Sequence, residues 1–489
     1  MKKRFYLLVC SGLLAVAAPA LAQQGPQPDP VTAGYNKLLA GDSAAHLELE
    51  GKLYALLQSK AEKDWLTAAN YFYRLKKAKT VDSIQAAVAK RFPEGVYVRN
   101  TAVQQVYDEK DPVKKEALKD AWMARFPPAR YDNNDHIVYD YARNAVGMAY
   151  LDAGNVAKGI AYADSIASPF WKGQGWVGTA ERLMKLGNYA AAKPLLKKAI
   201  EDAWSFRTTR KAEMGASFAA IGYPGYLADY VNCLYHDKEY DSALVYIQRA
   251  LEAENPPRPQ VQEMYARVLM EKGDYPKAMG FLSDIAAKGK LDSLSKAELA
   301  TVYAKVRGGS GFDAYLDSLK AGLNDRVREE MAKTIINEAA PGFTLKDLNG
   351  KTVTLASLKG KTVVLDFWAT WCGPCKASFP AMQKAQEKYK NDPNVKFLFV
   401  HTWEKSAKAT AEARKFITDH HYPFQVLMDL KDADTGENKV VSSYKVNGIP
   451  TKFIIDKNGN IRFRFTGFSG GEDAAVAEVS AMISLAQSN

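Results

Sequence analysis

From about Tyr35 to about Asn337, apolar residues recur at three- and four-residue spacing, with Gly or Pro interrupting at intervals. That period belongs to helices with one buried stripe, so the segment is predicted to be helical almost throughout. At "NEAAPGF" (337–343) the pattern changes. Short apolar runs follow: "KTVTL" (351–355), "KTVVLDFWA" (361–369), "VKFLFVHTW" (395–403), "FQVLMD" (424–429), "TKFIID" (451–456) and "IRFRFTG" (461–467). Helical patterns near 375–390, 406–420 and 472–487 lie among them, and Gly459 in "DKNGN" marks a hairpin turn between the last two runs. Strands that alternate with helices and close in a hairpin predict a mixed sheet covered on both faces. The chain is therefore expected to be multidomain: an all-α region over 35–337, then an α/β domain over 338–489.

Four stretches of the helical region are alike: "AYLDAGNVAKGIAYADSI" (149–166), "RLMKLGNYAAAKPLLKKAI" (182–200), "NCLYHDKEYDSALVYIQRAL" (232–251) and "RVLMEKGDYPKAMGFLSDI" (267–285). Each reads as a helix, a short turn and a second helix opening with aromatic-x-x-small. The turn positions Gly154, Gly187, Lys238 and Gly273 are separated by 33, 51 and 35 residues. Two steps fit a helical-hairpin period of roughly 34, and the third is one period plus an insertion around Phe206 to Tyr226. Ala192, Ala243 and Ala278, with Gly159 in the first unit, are small enough to let paired helices approach closely. The pattern resembles tetratricopeptide repeats, which implies a stacked, curved array whose concave face takes a peptide or protein ligand.

The first 22 residues stand apart. Met1-Lys2-Lys3-Arg4 is basic, Phe5 to Val16 is apolar, and Ala20-Leu21-Ala22 has the small-x-small form of a signal-peptidase site. Residues 1–22 are expected to be a signal peptide cleaved before Gln23, and 23–34 ("QQGPQPDP" and onward) a flexible linker. Acylation at Cys10 is the alternative, disfavoured because the bulky Val9 precedes it; retention as a membrane anchor is another. Export places the rest of the chain in the periplasm or otherwise outside the cytoplasmic membrane.

Composition alters this picture little. The chain has 489 residues, 47% apolar and 25% charged, which argues against disorder and against a polytopic membrane protein. The formal charge of +11 is spread along the chain without a Lys/Arg run interleaved with aromatics, so no nucleic-acid partner is expected.

Four cysteines change more. Without Cys10, the exported chain keeps Cys233, Cys372 and Cys375, which reads as one local pair plus a solitary thiol rather than a disulfide framework. Cys233 on a repeat helix reads as a small core residue. Trp371-Cys372-Gly373-Pro374-Cys375 falls where a strand ends and a helix begins. There unpaired N–H groups and the helix dipole stabilise a thiolate. Cys372 is expected at the exposed helix start as nucleophile. Cys375, one turn in, is expected to be less accessible and to resolve the mixed disulfide, with Pro374 pre-setting the turn. Asp366 sits in the apolar run of a central strand, where an ionised carboxylate is costly. It is expected to be buried and to accept a proton, through a water, as Cys375 becomes a thiolate.

"FWATWCGPCK" (367–376), with Asp366 six positions before Cys372, resembles thioredoxin. "NGIPT" (447–451) is similar to the loop in which a cis proline faces the cysteine pair, which assigns that role to Pro450 and substrate pairing to the Ile449 backbone. The lead-in "APGFTLKDLNGKTVTLASLKGKTVVLDFWATWCGPC" (340–375) is similar to the exported TlpA/ResA-like branch. The resemblance covers about 340–489. It implies a thioredoxin-like fold, no cofactor beyond a redox-active Cys372–Cys375 disulfide, and client proteins bearing disulfides. It also implies a client contact surface made of Trp371, Gly373, Pro374, Ile449 and Pro450. A periplasmic reductase needs electrons from a membrane-embedded thiol donor. Gly-Pro between the cysteines favours reduction. Two departures weigh against a role confined to haem maturation: Lys376-Ala377-Ser378 lacks the acidic residue, and Pro450-Thr451-Lys452 replaces Pro-Glu-Thr.

Other readings fit less well. A closed zinc site needs two more ligands, and no metal is expected. Covalent haem attachment needs His where Lys376 stands. A staple closing so short a loop adds little constraint. A peroxidase would place Thr three positions before the cysteine, whereas Thr370 is two before Cys372. His401 and Glu404 read as ordinary residues at a strand end. The competing function is a repeat-type binding scaffold with an auxiliary redox domain.

Overall fold

The computed structural model describes residues 30–488 apart from 133–134, 255–256, 258, 405, 407, 433–434 and 469–470. The expected signal peptide, and residues 23–29 of the expected linker, lie outside the described residues. Residues 30–34, assigned to that linker from their composition, instead open a helix, Pro30–Leu39. Proline is favoured in a first turn because its missing N–H would have no partner there, and Tyr35 is buried.

The chain condenses into two compact units, one ending at Asp237 and one spanning Lys238–Asn489. The first unit is helical, and its helices pair as hairpins. Ile137–Asp152 packs on Val156–Asp164, and Pro169–Lys185 packs on Tyr189–Thr208. The turns repeat one local solution. Gly154, Gly187, Lys238 and Gly273 all take left-handed conformations, with φ of 81°, 77°, 59° and 79°. The next residue's N–H returns to the preceding helix, as in Asn155 to the Tyr150 carbonyl at 2.8 Å, Asn188 to Leu183 at 2.9 Å and Asp274 to Leu269 at 2.8 Å. The side chains of Asn155, Asn188 and Asp274 then cap the following helix. Lys76, with φ 64°, makes a further turn of this kind, with the Lys77 N–H returning to the Phe72 carbonyl at 2.9 Å. The small residues have the predicted use. Ala192, Ala243 and Ala278 are fully buried, and a Cβ on Gly159 would fall 2.3 Å from Leu151 Cδ2. The 51-residue step contains the short helix Ala216–Ile221.

In the second unit, helices precede an eight-stranded sheet. The strands are β1 (Glu338–Ala339), β2 (Thr344–Asp347), β3 (Thr352–Thr354), β4 (Thr362–Trp368), β5 (Val395–His401), β6 (Val426–Met428), β7 (Thr451–Ile455) and β8 (Asn460–Thr466). Their order is β1-β8-β7-β4-β5-β6-β2-β3. β4, β5 and β6 are parallel, while β7 and β8 run antiparallel beside β4, so the sheet is mixed. β1 and β2 were not foreseen: two and four residues are too few to show a period, and only Leu345 of β2 is buried.

All seven residues of β4 are buried, as its apolar run predicts. Val364 and Trp368 point into one core with the redox helix (Gly373–Lys388), the helix Ala409–Asp419 and the carboxy-terminal helix (Glu472–Gln487). Val363, Leu365 and Phe367 point into the other, with Val440, Val441, Tyr444 and Phe453. The sheet is thus covered on both faces.

The last helix before the sheet ends at Ala332 and β1 begins at Glu338, and the compact unit starts earlier, at Lys238. The helix Leu323–Ala332 packs on the carboxy-terminal helix, burying Leu323 and Val327 against Ala477 and Ala481. The Gly289 carbonyl accepts the Ala474 N–H at 3.0 Å, and a Cβ on Gly289 would fall 2.7 Å from that nitrogen. A fragment cut at 338 exposes Leu323's and Val327's partners, losing about 1.5–3 kcal/mol for each large apolar side chain removed. Lys238–Asn489 is therefore expected to unfold cooperatively in urea at a higher midpoint than 338–489, measured by far-ultraviolet circular dichroism.

Candidate active site

β4 ends at Trp368, and the backbone turns through Ala369, Thr370 and Trp371 into the redox helix. Cys372 is its N-cap. The Cys375 N–H reaches Cys372 Sγ at 3.1 Å, so one of the helix's unpaired donors is satisfied by sulfur. The same donor stabilises negative charge on that sulfur once the bond opens. Pro374 lies in the first turn. Cys372 and Cys375 are joined as a disulfide with Cα atoms 5.3 Å apart. The third thiol, Cys233, is buried beside Met184, and burial pushes it up to about 12, so it is inert.

One expectation needs correcting. Cys372 is only 3% exposed, not open to solvent. The sulfur lies 3.6 Å from the Ile449 carbonyl oxygen, beside the cis Ile449–Pro450 peptide, which shields it. Exposure belongs to the neighbours: Trp371 is 52% exposed, and a Cβ on Gly373 would meet nothing within 4 Å. Trp371, Gly373, Pro374, Ile449 and Pro450 are thus brought around one sulfur, although Ile449 and Pro450 are more than seventy positions away in sequence.

The turn after β5 fastens this loop. Trp371 Nε1 donates to the Trp403 carbonyl at 3.1 Å, and the Thr370 hydroxyl donates to Glu404. His401 is 1% exposed, with Nε2 3.5 Å from Glu404 Oε2 and its ring edge-on to Trp368. Burial lowers its pKa to about 4, so the ring is neutral at pH 7. His401 and Glu404, read from sequence as edge residues, buttress the redox loop. Parallel pairing of β4 with β5 brings them there, a juxtaposition visible in sequence only once the pairing is known.

Asp366 is 1% exposed and shares its side of β4 with Val364 and Trp368, the side that carries the redox helix. Neither carboxylate oxygen has a hydrogen-bond partner among the described residues. Desolvation raises its pKa, and the Lys452 ammonium, 3.4 Å away, opposes that rise. The sequence flagged Lys452 only as a departure from a motif. Its position follows from strand register, which sets it opposite Asp366. In the stretch 376–378, which lacks an acidic residue, the Ser378 hydroxyl donates to the Cys375 carbonyl at 2.8 Å.

A model of the AhpC/TSA family matches residues 336–464. Over 125 residues the chain is 37% identical to the thioredoxin-like protein YneN of Bacillus subtilis, which spans 26% of this chain and 68% of that protein. Over 135 residues it is 33% identical to the thiol–disulfide oxidoreductase ResA of Bacillus cereus, spanning 28% of this chain and 72% of ResA. Among solved structures, the thioredoxin domain of a thiol–disulfide oxidoreductase from Bacteroides vulgatus is 25% identical, covering 30% of this chain and 96% of that one with a TM-score of 0.26. Through its carboxy-terminal domain, this chain belongs to the ResA/TlpA-like thiol–disulfide oxidoreductases.

Proposed function

We infer that the protein is an exported reductase of client disulfides, working through Cys372 and Cys375, with the tetratricopeptide-like helices recruiting the client or a partner. The observation that carries the reading is the placement of Cys372 Sγ between the Cys375 N–H and the Ile449 carbonyl. The helix amide favours thiolate, and an extended client segment laid along Ile449 brings its own sulfur to that thiolate. Cys372 attacks one client sulfur; the client S–S bond breaks and its other sulfur leaves as thiolate. Cys375 then gives its proton to Asp366 and attacks Cys372. The intermolecular bond breaks, the Cys372–Cys375 bond forms, and two electrons have passed to the client. A membrane-embedded dithiol restores the reduced pair. Export is supported by the basic and apolar run ending at Ala22. Among the described residues no helix is long and apolar enough to cross a membrane. The Gly-Pro between the cysteines favours reduction over oxidation.

Asp366 carries an argument of its own. Burying this carboxylate with an incomplete shell of partners costs stability, so chemistry, not packing, accounts for it. Its folded pKa is raised, so the folded state binds its proton more tightly than the unfolded one. The resulting stability is full below the unfolded value, near ~4, and is lost as pH rises through the folded value.

Two outcomes are expected. In an insulin-reduction assay on the full chain, Cys372→Ser abolishes activity, while Cys375→Ser accumulates a mixed disulfide visible on non-reducing gels; unaltered turnover by Cys372→Ser refutes the mechanism. The potential of the wild-type couple is expected near roughly −270 mV, and one near roughly −120 mV reverses the direction. Secondly, Asp366→Leu combined with Lys452→Met is expected to be as stable as wild type or up to about 4 kcal/mol more stable at pH 7. It should lose the decline between acid and neutral pH, read from urea unfolding, and reduce insulin more slowly.

A further inference from the structure

Asp366 and Lys452 face each other across β4 and β7, directly opposed in the antiparallel register. Their side chains are 1% and 5% exposed, with Nζ 3.4 Å from Oδ2. Lys452 Nζ has no hydrogen-bond partner among the described residues. Lysine is rarely buried so completely without a use, because desolvating an ammonium is expensive. The backbone gives the location meaning. Pro450 and Lys452 are separated only by Thr451, so the strand that leaves the client-docking loop carries the ammonium directly to the carboxylate below the redox helix. Lys452 also shares its face of β7 with Ile454, which packs in the core containing Cys372 and Cys375.

We propose that Lys452 is a positioning residue of the redox reaction, holding Asp366 as an anion beneath the redox helix so that it is ready to take the Cys375 proton. This rests on the reading of Asp366 as proton carrier. The step is the one in which the Cys375 S–H proton passes to Asp366 and the thiolate attacks Cys372 of the mixed disulfide, expelling the client thiolate. The ammonium exchanges no atoms. It makes an otherwise unfavourable buried anion available, and the anion becomes neutral when it accepts the proton. Burial opposes ionisation of Asp366 most strongly, and Lys452 is the cation that counters it. Lys452 also feels Glu478 of the carboxy-terminal helix, which in turn senses Lys290, in a loop between two earlier helices, and Glu330 of the helix Leu323–Ala332. Burial pushes the Glu478 pKa up, which disfavours its charged form, and the close ion pair of Lys452 is the one with Asp366.

The test is stopped-flow oxidation of the pre-reduced full chain by insulin between about pH 5 and pH 9, followed by tryptophan fluorescence. In wild type the rate falls on the acid side as Asp366 becomes protonated. Lys452→Met and Lys452→Gln are expected to move that acid limb upward by about one pH unit or more, an approximately tenfold loss at pH values below it. Lys452→Arg, which keeps the charge, restores the limb towards the wild-type position. In an Asp366→Asn background the limb is absent, and adding Lys452→Gln changes nothing further, which a merely structural role for the lysine would not produce. If the Met and Gln variants keep the wild-type limb while Asp366→Asn abolishes it, this inference is overturned and Asp366 keeps its role. An Asp366→Asn protein with the wild-type profile overturns both.

Discussion

One strand buried at every position organises the redox domain. β4 has neighbours on both edges and a core on both faces, so each of its seven side chains meets protein. Six fill that space with apolar groups or a hydroxyl. The seventh, Asp366, puts a carboxylate where water is absent. What faces it lies on adjoining elements: Lys452 from β7, 3.4 Å away, and the redox helix on the same side of the sheet. The strand also fixes the sulfurs, because its end determines where the helix starts and therefore which sulfur receives the helix N–H.

The site has a rigid side and an open side. Backing it are the aromatic rings of Trp368 and Phe379, neutral His401, and the hydrogen bonds from Thr370 and Trp371 to the turn after β5. In front are the exposed indole of Trp371 and the space beside Gly373. Such an arrangement lets a client approach without disturbing the core that sets the thiol chemistry.

The helices before the sheet do more than precede it. Those between Tyr240 and Ala332 belong to the same compact unit as the redox domain, and Leu323–Ala332 lies against the carboxy-terminal helix that covers one face of the sheet. Their repeated turns are a local matter: a left-handed residue ends one helix, and an Asn or Asp often caps the next. Lys238 shows that the backbone geometry, not glycine itself, is what the repeat preserves.

The sequence by itself determined whatever depends on near neighbours. The helical period, the hairpin turns, the apolar run of β4 and the placing of two cysteines across a helix start are encoded within a few residues of one another, so they were readable without a structure. It also pointed to the proline loop, through a motif. It missed β1 and β2, too short to show a period, and it misjudged the exposure of Cys372 and the start of the first helix. Only the tertiary structure decided that His401 and Glu404 stand behind the redox loop and that Lys452 meets Asp366. Those contacts are set by which strands pair and in what register, and pairing energy is spread over the whole sheet instead of residing in any stretch of chain.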